Sequence, residues 1–365
     1  MRLAFALAAV MVVTTAGKSL PKLNHSQRLE TMDYCECDPS TAYLDIFIVM
    51  DSSDEMSEAT MDWATELIIK FLTYFTLGVG KSQTNVAALD FAEDIYIDYE
   101  FGNIRNEDDA YSLDFFYQGG KSIKLAESIF VASNDIANNG RDFSRGVIIV
   151  FSKSFNDVDF ANITDVAASF KDHGGTLITI DYSADGEQGL EDIASPGFYL
   201  HGDFNEVDIA YALCDANCFC PEDLVPYAKT NERGRNVPDS CYHVSGAPSV
   251  YNAAEQNCRN QNGFVATEHD TDKGFFLMSI FPPKTKFWIG LKYNGSTYEW
   301  ADGVEDPYMN WQPGNPVAGE DCVYMQQQQG FAYSWFSASC ADPVRATHPY
   351  ACQLRPCGSE YDCYN

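Results

Sequence analysis

The sequence predicts a doubly wound α/β sheet followed by a smaller α+β domain. Three observations predict it. Short apolar runs at 44–50, 86–91, 147–151 and 176–180 alternate with helix-period segments at 61–77, 123–136 and 160–171. After a cysteine-marked junction, helical patterns at 249–259 and 271–281 precede a strand hairpin at 287–300. The chain has 365 residues, enough for two cores on ordinary domain sizes.

The amino terminus reads as a leader. Met1-Arg2 is a short basic start, Leu3 to Val13 is an unbroken apolar run, and Thr14-Thr15-Ala16-Gly17 offers small residues for cleavage. That is the three-part pattern of a secretory signal peptide over 1–17. No later run reaches the ~18 apolar residues of a spanning helix. A soluble, secreted chain is therefore expected, with a first domain over 35–220, a second over 221–355 and a tail over 356–365. Twelve cysteines fit an oxidising route. So do three glycosylation triplets, at Asn24, Asn162 and Asn294. The formal charge of −30, from 53 acids against 23 bases, argues against nucleic acid and anionic membrane surfaces as partners. It suits solubility and names no ligand.

In the first domain, runs that are apolar without alternation imply strands covered on both faces. Strands alternating with helices imply a mostly parallel sheet. Ligand crevices in such sheets lie beyond the carboxyl ends of the strands, where Asp51 and its loop fall. From Tyr43 to Leu213 the chain resembles a von Willebrand factor A domain. That family holds a divalent metal through D-x-S-x-S after the first strand, a Thr from a second loop and an Asp from a third. Mg²⁺ asks for six hard oxygens, so few side chains suffice. Here Asp51 and Ser53 match, Glu55 replaces the second Ser, and Ser122 is the nearest hydroxyl of the second loop. Lys153 stands where the third loop should supply Asp. At ~4 Å and an effective dielectric near 20, that exchange reverses the sign of a ~4 kcal/mol interaction. The resemblance therefore implies a degenerate metal site, with Lys153 free to pair with Asp51 or Glu55 in place of the ion. As ordinary structural residues, Asp51 and Ser53 would cap a loop or helix start.

Cysteines bracket this domain. Cys35 and Cys37 precede its first strand, and Cys214 and Cys218 follow its last helix pattern, 206–212. Domain ends usually lie together, so bridges from Cys35 and Cys37 to Cys214 and Cys218 would close it, with the pairing open. Four thiolates holding zinc are the rival reading; an oxidising compartment favours disulfides.

Residues 221–235 read as a polar junction. Beyond them, Trp288-Ile289-Gly290-Leu291, then Trp300 with Asp302-Gly303, then Asn310-Trp311-Gln312-Pro313-Gly314 and Glu320-Asp321-Cys322 resemble the core motifs of C-type lectin-like domains. The resemblance implies bridges Cys258–Cys352 and Cys322–Cys340. It also implies Cys220–Cys241 for the long form, leaving Cys357 and Cys363 for a tail loop. Family members bind sugar through one Ca²⁺, held by E-P-N or Q-P-D, a following acid and W-N-D. Here the first cluster is Asn315-Pro316-Val317, Glu320 keeps the acid, and the last cluster is Trp335-Phe336-Ser337. Val317 and Phe336 offer no side-chain oxygen and Ser337 no charge. Calcium affinity follows ligand number and charge, so this site also reads as degenerate. Pro316 is a turn residue of the type that can adopt a cis bond. Trp311, Tyr324, Tyr333, Trp335 and Phe336 surround the loop and serve either the core or a ligand face.

No catalytic signature emerges. G-x-S-x-G, H-E-x-x-H and the complete phosphate loop are absent, and the six histidines are scattered. The expectation is a secreted recognition or adhesion protein, binding extracellular protein or glycan without metal or other cofactor. The resemblance to secreted invertebrate proteins joining these domains implies innate immunity. A calcium-dependent lectin and an unrecognised extracellular enzyme are the alternatives.

Overall fold

The computed structural model describes residues 38–121, 123–155, 162–221, 223–305, 308–328, 330 and 332–358. The expected leader, Asn24, Cys35, Cys37, Ser122 and Cys363 lie outside them.

The first sheet has the order β3-β2-β1-β4-β5-β6. Its strands are β1 Leu44–Asp51, β2 Asn85–Phe91, β3 Ile95–Ile104, β4 Arg145–Ser152, β5 Thr176–Asp181 and β6 Tyr199–His201. All neighbours are parallel except β2 and β3. Every residue of β1 is buried, because both faces are covered. Ile46, Ile48 and Met50 pack toward α1 Glu58–Leu72 and α6 Glu206–Ala216. Phe47 and Val49 face α3 Leu125–Asn139, α4 Ile163–Asp172 and α5 Gln188–Ile193. A short helix, α2 Glu107–Ala110, follows β3.

Local chemistry sets the helix limits. The Ser57 side chain accepts from Thr60 N, so α1 starts at Glu58; it ends at Leu72, short of the expected Leu77. Asn162 caps α4 the same way, accepting from Thr164 N, and the helix runs from Ile163; the expected start at Phe160 lies outside the described residues. The antiparallel β3 is absent from the sequence expectation. As an edge strand its burial pattern never becomes continuous. It also carries a bulge: Ala88 pairs Tyr99 and Leu89 pairs Ile97, leaving Asp98 as the extra residue.

The second sheet runs β13-β12-β10-β14-β8-β7, with β11 on β10 and β9 on β14. Its strands are β7 Val225–Thr230, β8 Asn236–Ser249, β9 Phe264–Val265, β10 Lys286–Tyr293, β11 Tyr298–Trp300, β12 Cys322–Gln327, β13 Tyr333–Ala338 and β14 His348–Leu354. Helices α7 Tyr251–Asn260 and α8 Thr271–Ser279 complete the unit. The junction expected over 221–235 is therefore partly strand. Its mixed Val225-Pro226-Tyr227-Ala228-Lys229-Thr230 pairs with β8 along one side only. Asn294 forms the expected β10–β11 turn, its N–H reaching Thr297 O at 2.9 Å and Gly295 taking φ 101°.

Disulfides join Cys220–Cys241, Cys258–Cys352 and Cys322–Cys340. Cys214, Cys218 and Cys357 are disulfide-bonded too, which removes the thiolates a zinc site would need. No described helix is long and apolar enough to cross a membrane.

The turn between β7 and β8 rests on the first unit. Arg235 Nη1 donates to Asp215 Oδ2 at 2.8 Å, its guanidinium lies 5.6 Å from the Phe198 ring centre, and Arg233 sits over Tyr211 at 3.8 Å. Gly197 makes this approach possible: a Cβ there would lie 2.5 Å from Gly234 O.

Candidate functional site

Two loop clusters carry the residues singled out by sequence. The first lies at the carboxyl ends of β1, β2 and β4. Asp51 is fully buried, and both of its oxygens are used: Oδ1 accepts from Ser53 N at 3.0 Å and Oδ2 from Ser152 Oγ at 2.7 Å. Ser53 Oγ is buried and has no hydrogen-bond partner among the described residues. Glu55 and Lys153 are exposed, and among the described residues Lys153 forms no ion pair, with Asp51 or with any other acid. The loop from 117 to 120 closes the cluster. Gln118 N and Gly119 N donate to Ser52 O, Tyr117 Oη donates to Asp54 Oδ1 at 3.0 Å, and Gln118 Nε2 donates to Asp90 Oδ1. Ser52 Oγ also donates to Asp90 Oδ1, at 2.9 Å. Mg²⁺ asks for six hard oxygens; among the described residues each Asp51 oxygen already accepts one hydrogen bond, and exposed Lys153 follows Ser152 where the family pattern has an acid.

Behind this cluster lies a pair of carboxyl groups. Asp98 turns in at the bulge beside buried Asp90. Burial and the neighbouring Asp90 charge push the Asp98 carboxyl up to about 7.

The second cluster is the loop between β11 and β12. Asn315–Pro316 is cis. Buried Ser337, on β13, is its hub. Its Oγ donates to Glu320 Oε2 at 2.8 Å, lies 3.2 Å from Asn315 Oδ1 and accepts from Val317 N at 2.8 Å. Ser337 N adds a bond to Asn315 Oδ1 at 3.0 Å. One hydroxyl thus ties together the residues a calcium ion would collect. Val317 is 47% exposed and Phe336 stacks on Tyr324 with centroids 5.2 Å apart, so neither brings oxygen to the loop. Among the described residues the cluster brings one carboxylate, one amide oxygen and one hydroxyl together, fewer charged ligands than the family pattern has.

The aromatics divide. Trp335 is fully buried and Tyr333 nearly so, while Trp311 and Tyr324 are half-buried. Trp311 packs edge-on against Trp335 at 5.7 Å.

Sequence reasoning missed three features. Ser152 was passed over for its neighbour Lys153, although as the last residue of β4 it reaches Asp51. The role of Ser337 was legible only as a lost charge. Glu268, fully buried, accepts from Trp335 Nε1 at 2.7 Å, and burial pushes its carboxyl up to about 7. A signal existed in Gly274, a glycine inside a helical pattern. A Cβ there would meet Tyr333 Oη at 2.0 Å and Glu268 Oε1 at 2.7 Å.

Comparison with known proteins gives two family matches. Residues 45–211 match the von Willebrand factor type A domain, and residues 247–353 match the lectin C-type domain. The C-type lectin domain-containing protein 160 of Caenorhabditis elegans is 23% identical over 387 aligned positions, covering 96% of this chain and 59% of that protein. The human low affinity immunoglobulin epsilon Fc receptor is 31% identical over 100 residues, 26% of this chain and 31% of the receptor. The chain thus spans about three-fifths of the worm relative and less of the receptor. Among solved structures, a calcium-independent type II antifreeze protein is 21% identical, with 38% of this chain and 96% of that one covered and a TM-score of 0.31.

Proposed function

From the premise that this chain joins a von Willebrand factor type A domain to a C-type lectin domain, we propose that it is a secreted recognition protein that engages extracellular protein or glycan without a bound metal. A recognition or adhesion role follows from the domain pair. The metal-free mode is the finer reading, and one observation carries it: the Ser337 hydroxyl bridges Glu320, Asn315 and Val317 N in the calcium loop. A loop held by neutral and charge-assisted hydrogen bonds needs no ion to keep its shape. The hydrogen bonds on both oxygens of Asp51 support the same reading for the other unit. The proposal includes a signal peptide over 1–17, domains over 35–220 and 221–355, and glycans at Asn24, Asn162 and Asn294. It assigns no catalytic residue, and it places the protein in extracellular defence on the pairing of domains.

The test is a glycan and protein-ligand array run with calcium and again with chelator, beside calorimetry with Ca²⁺. Chelator-insensitive binding and no specific uptake are expected. Micromolar Ca²⁺ binding that disappears in Glu320→Ala would overturn the reading and favour a calcium-dependent lectin.

A further inference from the structure

The geometry points to a separate site for a small organic cation, an alkylammonium group, in the pocket between α8 and the 308–310 segment. It goes beyond the recognition role and uses none of the Ser337 loop bonds. The pocket has a volume of about 220 Å³ and is lined by Thr271, Phe275, Tyr308, Asn310, Ala332 and Tyr333. That is smaller than the cavities that take drug-sized ligands. Three of the six lining residues are aromatic, and none is basic. Phe275 is 43% exposed and stands edge-on to Tyr333 at 5.6 Å. The Tyr308 and Tyr333 hydroxyls meet at 3.2 Å.

Beneath those hydroxyls lies Glu268. Its Oε2 accepts from Trp335 Nε1, and its buried Oε1 has only the Tyr333 and Tyr308 hydroxyls, both neutral, to interact with among the described residues. Among the described residues no Lys or Arg pairs with it: Lys273, on the adjacent helix, is directed to Asp239 at 3.6 Å, and His269 to Asp302 at 2.7 Å. A buried carboxylate left without a cation is costly. A cation in the pocket would gain from the aromatic faces and from this charge together, at low local dielectric. An anion would meet repulsion from Glu268 and from Asp270 and Asp272 at the start of α8. Burial favours the neutral acid of Glu268, whereas Trp335, Tyr333 and Tyr308 favour the charged one; Asp270 raises its pKa further. Occupancy should therefore rise as pH increases through about 7.

Choline chloride is the probe, titrated into the full-length protein. Saturation-transfer NMR of the N-methyl signal and Trp fluorescence report binding, and dimethylbutanol is the neutral isostere. Saturable choline binding is expected, roughly tenfold weaker in Glu268→Gln and in Phe275→Ala, with little transfer to the isostere. Phe275→Ala alters an exposed ring, so it tests the site even where the buried variant fails to fold. Equal binding of the isostere would overturn the inference. So would a methyl glycoside displacing choline with no effect of Glu268→Gln, or no saturable binding at all.

Discussion

The hydroxyl of Ser337 donates to the Glu320 carboxylate at 2.8 Å, from a β13 position where the family pattern places a second carboxylate. Removing it leaves Glu320, Asn315 Oδ1 and Val317 N without a shared partner. Ser337→Ala should cost about 1–3 kcal/mol, read as a lower melting temperature. Ser337→Asp sets like charges together and should also lower it, but calcium should then restore stability, whereas no calcium effect is expected for the natural protein.

At the other loop, Lys153→Asp brings a carboxylate near Asp51 and Ser53. Mg²⁺ affinity should rise at least tenfold, equivalent to about 1.4 kcal/mol. Calorimetry measures it, and an unchanged isotherm would refute the assignment of Lys153 to the third loop.

His348 gives a pH signature. Its ring lies 4.7 Å from Trp288 and 4.5 Å from Tyr324, and burial, with Lys286 nearby, holds its pKa down at about 4. The unfolded chain takes the proton first, near ~6.5. Stability from this group is complete above ~6.5 and is lost as pH falls toward about 4. His348→Gln should flatten that decline by about 1–2 kcal/mol after allowance for partial solvent contact. Melting temperature against pH shows it.

The Asp98 carboxyl runs the opposite way. Raised to about 7 by burial and Asp90, it binds its proton more tightly folded than unfolded. Stability then falls as pH rises from ~3.9 through about 7. Asp98→Asn should raise the melting temperature above neutral pH and change little in acid. Equal shifts at both ends would sink this account.

Arg235 and Asp215 bind the β7–β8 turn to the first unit, with side chains only 6% and 12% exposed. Asp215→Ala strands a buried guanidinium and should cost about 3 kcal/mol. Limited proteolysis should then cut more readily between residues 221 and 235.

Much of this was legible. The continuous apolar run of β1 announced burial on both faces, and Trp288 to Leu291 with the cysteine order announced the second unit. What escaped obeys a common physics. Strands β3 and β7 are outermost strands, so half-exposure blurs their periodicity. Substitution at Lys153 and Ser337 told which ligand charge was missing, but not that Ser152 and the Ser337 hydroxyl would bridge the residues left behind. Glu268 drew no attention in the sequence because its donor, Trp335, lies 67 residues later.

The close seating of Gly234 on Gly197 also limits what residue 197 can become. A Cβ there would lie 2.5 Å from Gly234 O, and the backbone stands at φ 82°, so any larger residue would have to lift the β7–β8 turn away from the first unit.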